Sequence, residues 1–327
     1  MNRPHLALSE DSKRQRVYNV IRNYGPLILF LALIIVVSVI NPKFISISNM
    51  RNIMYQVSAV GIVALGAMFV ILTAGIDFTA GVGVAFAGVV AGIVFGATNS
   101  VIVMVFVALL LGFVIGLING LIITRLKIQP FVATLAMMSV LQGFIYIVSE
   151  GKIVFLRSRV IDFIGKGNIA GIPTPFVILI IVSIVSHTIL NKTKIGRYAF
   201  AMGGNEEGAR LAGVDLQKYK LFIYILAGIF TGIGAIIMIS RISMVAPNIG
   251  GSSLLLDAIA STIIGGTSIS GGKATVHGTF IGILIMGSIS NALNILNVPS
   301  VMQDVVKGLI IIIALYFDVI FVNRKRN

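Results

Sequence analysis

The sequence predicts an all-α polytopic membrane protein with about ten transmembrane helices and both termini in the cytoplasm. Of its 327 residues, 57% are hydrophobic and only 11% are charged, where a soluble domain carries roughly 25% charged residues. Apolar runs of about 20 residues, the length that crosses a bilayer, recur along the whole chain. The basic residues gather at the ends of those runs. A membrane β-barrel would instead show alternating segments of about ten residues, and these runs are continuous.

Taken in order, the spans fall at roughly 25–40, 53–74, 79–97, 101–124, 130–148, 174–190, 219–240, 254–270, 275–296 and 301–322. The third and eighth are rich in Gly and polar residues, the composition of broken or re-entrant spans. With both termini inside, the inside segments hold 17 Lys and Arg and the outside segments 7, while Lys307 lies within the last span. Cytoplasmic loops carry such an excess. The chain thus divides into a cytoplasmic tail at 1–24, one transmembrane domain at 25–322 that includes a cytoplasmic segment at 191–218, and a short tail at 323–327. Residues 1–24 lack an apolar core and a small-residue cleavage site, so no cleaved signal peptide is expected.

The net charge of +14 therefore reports membrane orientation, not affinity for nucleic acid. The lack of cysteine excludes disulfides and thiolate metal sites. His5, His187 and His277 have no metal-ligand spacing, and no nucleophile–base constellation can be assembled, so no metal, no cofactor and no catalytic residue is assigned. The stretch "GGTSISGGKAT" (265–275) fails as a phosphate-binding loop. That loop needs Gly, four residues, then Gly-Lys-Ser/Thr; here five residues reach the Gly272–Lys273 pair and Ala274 follows the Lys. A glycine-rich turn between spans is expected.

Glycine recurs every fourth residue at Gly88, Gly92 and Gly96, at Gly112, Gly116 and Gly120, at Gly228 and Gly232, and at Gly278 and Gly282. Such rows line one face of a helix and let a neighbouring backbone come close. "AGIDFTAGVG" and "GGTSISGGKA" are faintly alike, as the two halves of a transporter can be.

The most polar internal segment is "GRYAFAMGGNEEGARLAGVDLQKYK" (196–220). Gly204 marks a break in the chain, and Asn205 is a good N-cap. Glu206 and Glu207 suit the first turn of a helix. Ala209, Arg210 and Leu211 continue it, and Gly213 stops it as a C′ glycine. About two turns result, marginal alone in water. The small apolar face of "ARLAG" suits docking into a partner's groove.

Several motifs carry a resemblance. "GRYAFAMGGNEEGARLAGV" resembles the cytoplasmic coupling segment of permease subunits in ABC importers for ribose, galactose and related sugars. In the same order along the chain, "LTAGIDFTAG" (72–81), "LINGLIITRLKIQPFVATLAMM" (117–138), "LDAIASTIIGGTSISGGKATVHGT" (256–279) and "QDVVKGLIIIIAL" (303–315) resemble that family's other motifs, over roughly residues 40–320. One departure is Leu255, where the family has an acidic residue two places before Asp257. The resemblance implies a membrane pathway in a bacterial inner membrane, for a pentose or hexose. It also implies a separate cytoplasmic ATPase that binds the coupling segment, an extracytoplasmic sugar-binding protein, and a second copy of the permease or a related one. The coupling residues it implies are Gly204, Asn205, Glu206, Glu207, Ala209, Arg210, Leu211 and Gly213.

Polar groups inside spans are expensive to bury. Asp77, Asn119, Gln142, Asp257, Ser288 and Asn291 are therefore candidates for lining or gating the pathway, against the alternative of hydrogen bonds between helices. Importers of nucleosides, autoinducers or polyols would use the same architecture. An ion-coupled secondary transporter would work without an ATPase and would leave the capped cytoplasmic helix without a task.

Overall fold

The computed structural model describes residues 26–247 and 250–323. The expected tail at 1–24, His5 and the final residues 324–327 lie outside the described residues. Ten helices overlap the ten expected stretches: α1 (Pro26–Ile40), α2 (Ile47–Leu72), α3 (Thr79–Thr98), α4 (Val101–Arg125), α5 (Pro130–Ser149), α7 (Thr174–Lys192), α10 (Leu216–Ile242), α11 (Ser252–Ile264), α12 (Val276–Ile295) and α13 (Ser300–Asn323). Between them lie the short helices α6 (Arg159–Lys166), α8 (Lys194–Gly204) and α9 (Glu206–Leu211). Among the described residues, seven helices, α2 to α5, α7, α10 and α12, are long and apolar enough to cross a membrane. The fold is all-α and polytopic. Its strands are two-residue pairs: β1 (Val154–Phe155) with β4 (Met244–Val245), and β2 (Asn168–Ile169) with β3 (Ile172–Pro173).

α2 is the central post. Nearly every residue from Val57 to Leu72 is buried, against α10, α11, α12 and α7. α5 lies at the periphery and turns Phe131, Phe144 and Ile147 outward. In a bilayer, outward apolar side chains meet lipid tails, so helix contacts must come from close packing rather than from the hydrophobic effect.

The glycine rows supply that packing. A Cβ built on Gly112 or Gly116 of α4 would strike the backbone of Gly228 or Tyr224 on α10, and one on Gly232 would lie 2.6 Å from the Ala108 carbonyl oxygen. On α12, Gly278 and Gly282 receive the backbone at Gly265 and Ser261 of α11 in the same way. Gly88 and Gly92 of α3 instead receive the side chains of Ile239 and Val245.

The third span, expected to be a candidate for a break, is one continuous helix. The eighth is indeed broken. After α10 the chain forms β4, whose Val245 packs on Gly92 of α3, and Gly250 lies against Gly81 and Ala85, nearer the start of α3. The Gly251 N–H donates to the Gly81 carbonyl at 3.2 Å. Only then does α11 begin, and its 13 residues cover about 20 Å, short of a full crossing. Gly250 and Gly251 both take positive φ at this turn, which glycine adopts without steric cost. Leu255, at the departure from the family pattern, is buried with its Cβ beside Gly81.

The two faintly alike stretches meet in space. The Gly272 N–H donates to the Leu72 carbonyl at 2.9 Å, and a Cβ on Gly271 would lie 3.0 Å from the Ala74 nitrogen. Gly203, near the end of α8, completes the junction against Leu72 and Gly272. This junction and α9 share one end of the bundle, the α9 end.

Candidate functional site

At the α9 end, local sequence chemistry fixes one short helix at both termini. The Asn205 Oδ1 accepts from the Gly208 N–H at 2.8 Å. At the other terminus the Val214 N–H donates to the Ala209 carbonyl and the Gly213 N–H to the Arg210 carbonyl, both at 3.0 Å, with Gly213 at φ +81°. This paired closure is the Schellman arrangement that satisfies the last carbonyls of a helix. The Arg210 Nη2 donates to Glu207 Oε1 at 2.5 Å, and that bond raises the pKa of the exposed guanidinium. Lys220 Nζ, at the start of α10, donates to Glu206 Oε1 at 2.7 Å.

Two features of this segment differ from the sequence reading. The residues before Asn205 do not form an open break: Lys194–Gly204 is the helix α8, capped by the Thr193 hydroxyl. The apolar face of α9 is also split. Ala209, expected on the docking face, is turned into the chain's own core at 6% exposure, while Leu211 stands out at 79%. A groove of about 580 Å³ flanks α9, lined by Lys127 and Gln129 beyond α4, by Glu206 and Arg210, and by Asp215 and Lys220.

The six intramembrane polar candidates are dispersed. Asp77 is buried between α2 and α3, where its Oδ1 accepts from the Thr79 N–H at 2.8 Å and the Thr79 hydroxyl at 2.5 Å. Asn119 Nδ2 on α4 donates to that hydroxyl at 2.9 Å, so Asp77, Thr79 and Asn119 form one buried chain. Asn291 Oδ1 on α12 accepts from Asn49 Nδ2 of α2 at 2.9 Å, and Asn49 also donates to the Phe44 carbonyl. Ser288 is buried in α12, and Gln142 is half-buried on peripheral α5.

Asp257 differs from these. It lines a cavity of about 200 Å³ among α2, α10, α11, α12 and α13, together with Gln56, Arg241, Ser290, Asn294, Gln303 and Lys307. Lys307 Nζ donates to Asp257 Oδ2 at 2.8 Å, with both side chains largely buried. The Gln303 amide donates to Asn294 Oδ1 at 2.9 Å. The cavity lies in the half of the bundle away from α9, since Gln56 and Arg241 sit toward the ends of α2 and α10 opposite the glycine junction. Sequence reading took only Asp257 of this set. The available signal was Lys307, a cation inside a span, with Gln303 one turn before it on the same helix face.

The histidines set aside as scattered are partly brought together. The His187 and His277 rings lie 4.9 Å apart, edge to face. Among the described residues no group of three His, Cys, Asp or Glu is placed to hold a metal.

A multi-pass helical bundle with glycine-tight helix contacts, one broken span and a polar cavity is an architecture that membrane transport proteins use. Comparison with known proteins makes this specific. Residues 49–315 match the family described as branched-chain amino acid transport system / permease component, and the chain belongs to that family. It is 39% identical over 314 residues to the ribose import permease protein of Bacillus subtilis (strain 168), covering 95% of this chain and 97% of that protein. It is 37% identical over 305 residues to the L-arabinose transport system permease protein of Escherichia coli (strain K12), covering 93% and 92%. The L-arabinose ABC transporter permease protein of Azospirillum brasilense is 34% identical over 323 residues, covering 99% and 95%. No solved structure matches the chain.

Proposed function

We propose that this permease passes a pentose into a bacterial cell across the inner membrane, as one membrane subunit of an ABC importer. It hydrolyses nothing itself. A separate ATPase supplies the energy by gripping α9, an extracytoplasmic binding protein delivers the sugar at the opposite end, and a second permease copy completes the assembly. In this reading both termini and the α9 end face the cytoplasm, in keeping with the 17-to-7 distribution of basic residues. The reading draws on the near full-length similarity to permeases named for ribose and arabinose. The observation that carries the coupling role is α9 itself: a helix of six residues, capped at both ends, that offers an exposed Leu211 while its Glu206 and Arg210 line a groove. A connecting loop has no need of such closure, whereas a partner's groove does need a rigid knob.

Within the spans, Asp77, Asn119 and Asn291 act as ties between helices, and Asp257 is the candidate that faces open space. The test is reconstitution of the permease with its co-purified ATPase and binding protein in proteoliposomes, followed by uptake of labelled ribose and L-arabinose. ATP-dependent uptake of either is expected. Uptake that persists without ATP and follows an imposed ion gradient would favour a secondary transporter and overturn the reading.

A further inference from the structure

We propose that α6 and the strand before it, β1, form a binding site for the phosphate headgroup of an anionic phospholipid, at the end of the bundle away from α9. The site goes beyond the transport reading and holds whichever solute the permease carries.

The sequence of α6 sets three faces on one short helix. Ile161 and Gly165, four residues apart, form the inner one. Ile161 is buried, and a Cβ on Gly165 would lie 2.1 Å from the Ser240 carbonyl carbon of α10. The second face is polar and tied to the chain. Lys166 Nζ donates to the Ser243 hydroxyl at 2.6 Å, and that hydroxyl donates to Asp162 Oδ1 at 3.0 Å. The Tyr55 hydroxyl of α2 donates to the Lys166 carbonyl at 2.8 Å, so the helix is braced against both α10 and α2. The third face carries Val160 and Phe163, and the chain buries neither. The apolar arc of α6 is thus wider than its own chain covers.

Two observations say what meets the rest. The first is continuity. α5, whose outward side chains meet lipid tails, ends with Tyr146, Ile147 and Val148 exposed. A tight turn follows, where the Lys152 N–H donates to the Ser149 carbonyl at 2.8 Å. Ile153 and Phe155 then carry the exposed apolar strip on toward α6. Tyrosine at the end of a span marks headgroup level. The second observation is charge. Lys152 pairs with Glu150 and Lys166 with Asp162. Arg157 and Arg159, both exposed, have no acidic partner among the described residues. An uncovered apolar face flanked by unpaired arginines is the composition that binds anionic lipid surfaces. A guanidinium grips a phosphate through two parallel N–H bonds. Phe155 and Phe163 rest beside the headgroups, where water still reaches. Lipid held there restrains α6, and through Gly165 and Tyr55 the adjoining ends of α10 and α2.

The test exploits the lack of native tryptophan. Phe163→Trp installs a single fluorophore on the uncovered face. The purified full-length permease is placed in phosphatidylcholine nanodiscs that contain a rising fraction of phosphatidylglycerol brominated near the top of its acyl chains, or of phosphatidylcholine brominated in the same way. Half-maximal quenching should need roughly fivefold less of the anionic lipid, the worth of about one arginine at an anionic surface. Adding Arg157→Gln and Arg159→Gln together should bring the two lipids level. No quenching by either lipid would mean that a protein surface, such as a second copy, covers this face, and would overturn the proposal. Equal quenching by both lipids, or a preference that survives the double substitution, would do the same. Inorganic phosphate at matched ionic strength should leave the preference intact; its loss would assign the arginines to a free anion and overturn lipid binding. Phe155→Trp reads the same strip and carries the same expectations should Phe163→Trp fold poorly.

Discussion

Leu211 and Ala209, two positions apart on α9, are expected to fail in different ways. Leu211 is exposed at 79%, so Leu211→Asp should leave the permease at normal level and stability yet abolish co-purification of the ATPase. Ala209 is buried in its own chain at 6%, and Ala209→Asp forces a carboxylate into an apolar site without a partner. Its permease level should collapse before any question of coupling arises. Immunoblots of membranes beside ATPase pull-down separate the two outcomes, and normal ATPase recovery with Leu211→Asp would remove α9 from the interface. Glu206→Gln should be mild in both assays, because its half-exposed pair with Lys220 contributes roughly 0–1 kcal/mol. The buried amides behave differently again. Asn119→Leu leaves the Thr79 and Asp77 pair without its third member and should cost about 1–3 kcal/mol of stability. A lowered melting temperature in detergent with unchanged uptake per folded molecule is expected. Asn119 was legible as an unusual polar residue in a span, but its partner Thr79, 40 residues away, could be found only from the fold.

Among the elements, the glycine rows were readable because a four-residue spacing is a helical period. Which helix each row meets was not readable, since that depends on the three-dimensional order of the bundle. The distinction predicts opposite outcomes for two glycines. Gly116→Val inserts a branched side chain where α10 backbone already lies, an overpacking that costs about 1–3 kcal/mol. Gly143 on α5 has nothing within 4 Å of an added Cβ, and Gly143→Ala should stabilise the helix by roughly 0.5–1 kcal/mol. Thermal unfolding in detergent, followed by near-ultraviolet signal, checks both, and equal shifts would contradict the packing described. The broken eighth span was half legible. Its Gly265–Gly266 pair and polar residues marked an irregular crossing, but the break falls before the expected span, at Gly250–Gly251, and the same composition misled at the third span, where glycines serve packing on an intact helix. The polar residues of the cavity escaped because five helices contribute them one or two at a time.

For the molecule as a whole, the charge distribution makes the sharpest claim. Cysteines placed singly at Asn205 and Val160 should respond oppositely to an impermeant thiol reagent applied to intact cells: position 160, on α6 at the end away from α9, should label and position 205 should not. The reverse pattern would invert the molecule and with it the direction of transport. The expectation comes from the sequence alone, because orientation depends on counts of basic residues and not on contacts. The glycine junction of Leu72, Gly203 and Gly272 has a mechanical consequence. Three chain segments touch there through backbone atoms, with no flexible side chain between them, so the joint behaves as a stiff linkage with little compliance. Under the proposed coupling role, a displacement imposed on α9 would pass through α8 to the root of α2 and to the turn that launches α12 with little of it absorbed on the way. Lengthening any one of the three segments by a few flexible residues would act like slack in a drive shaft: the motor would still turn, and the load would stay still.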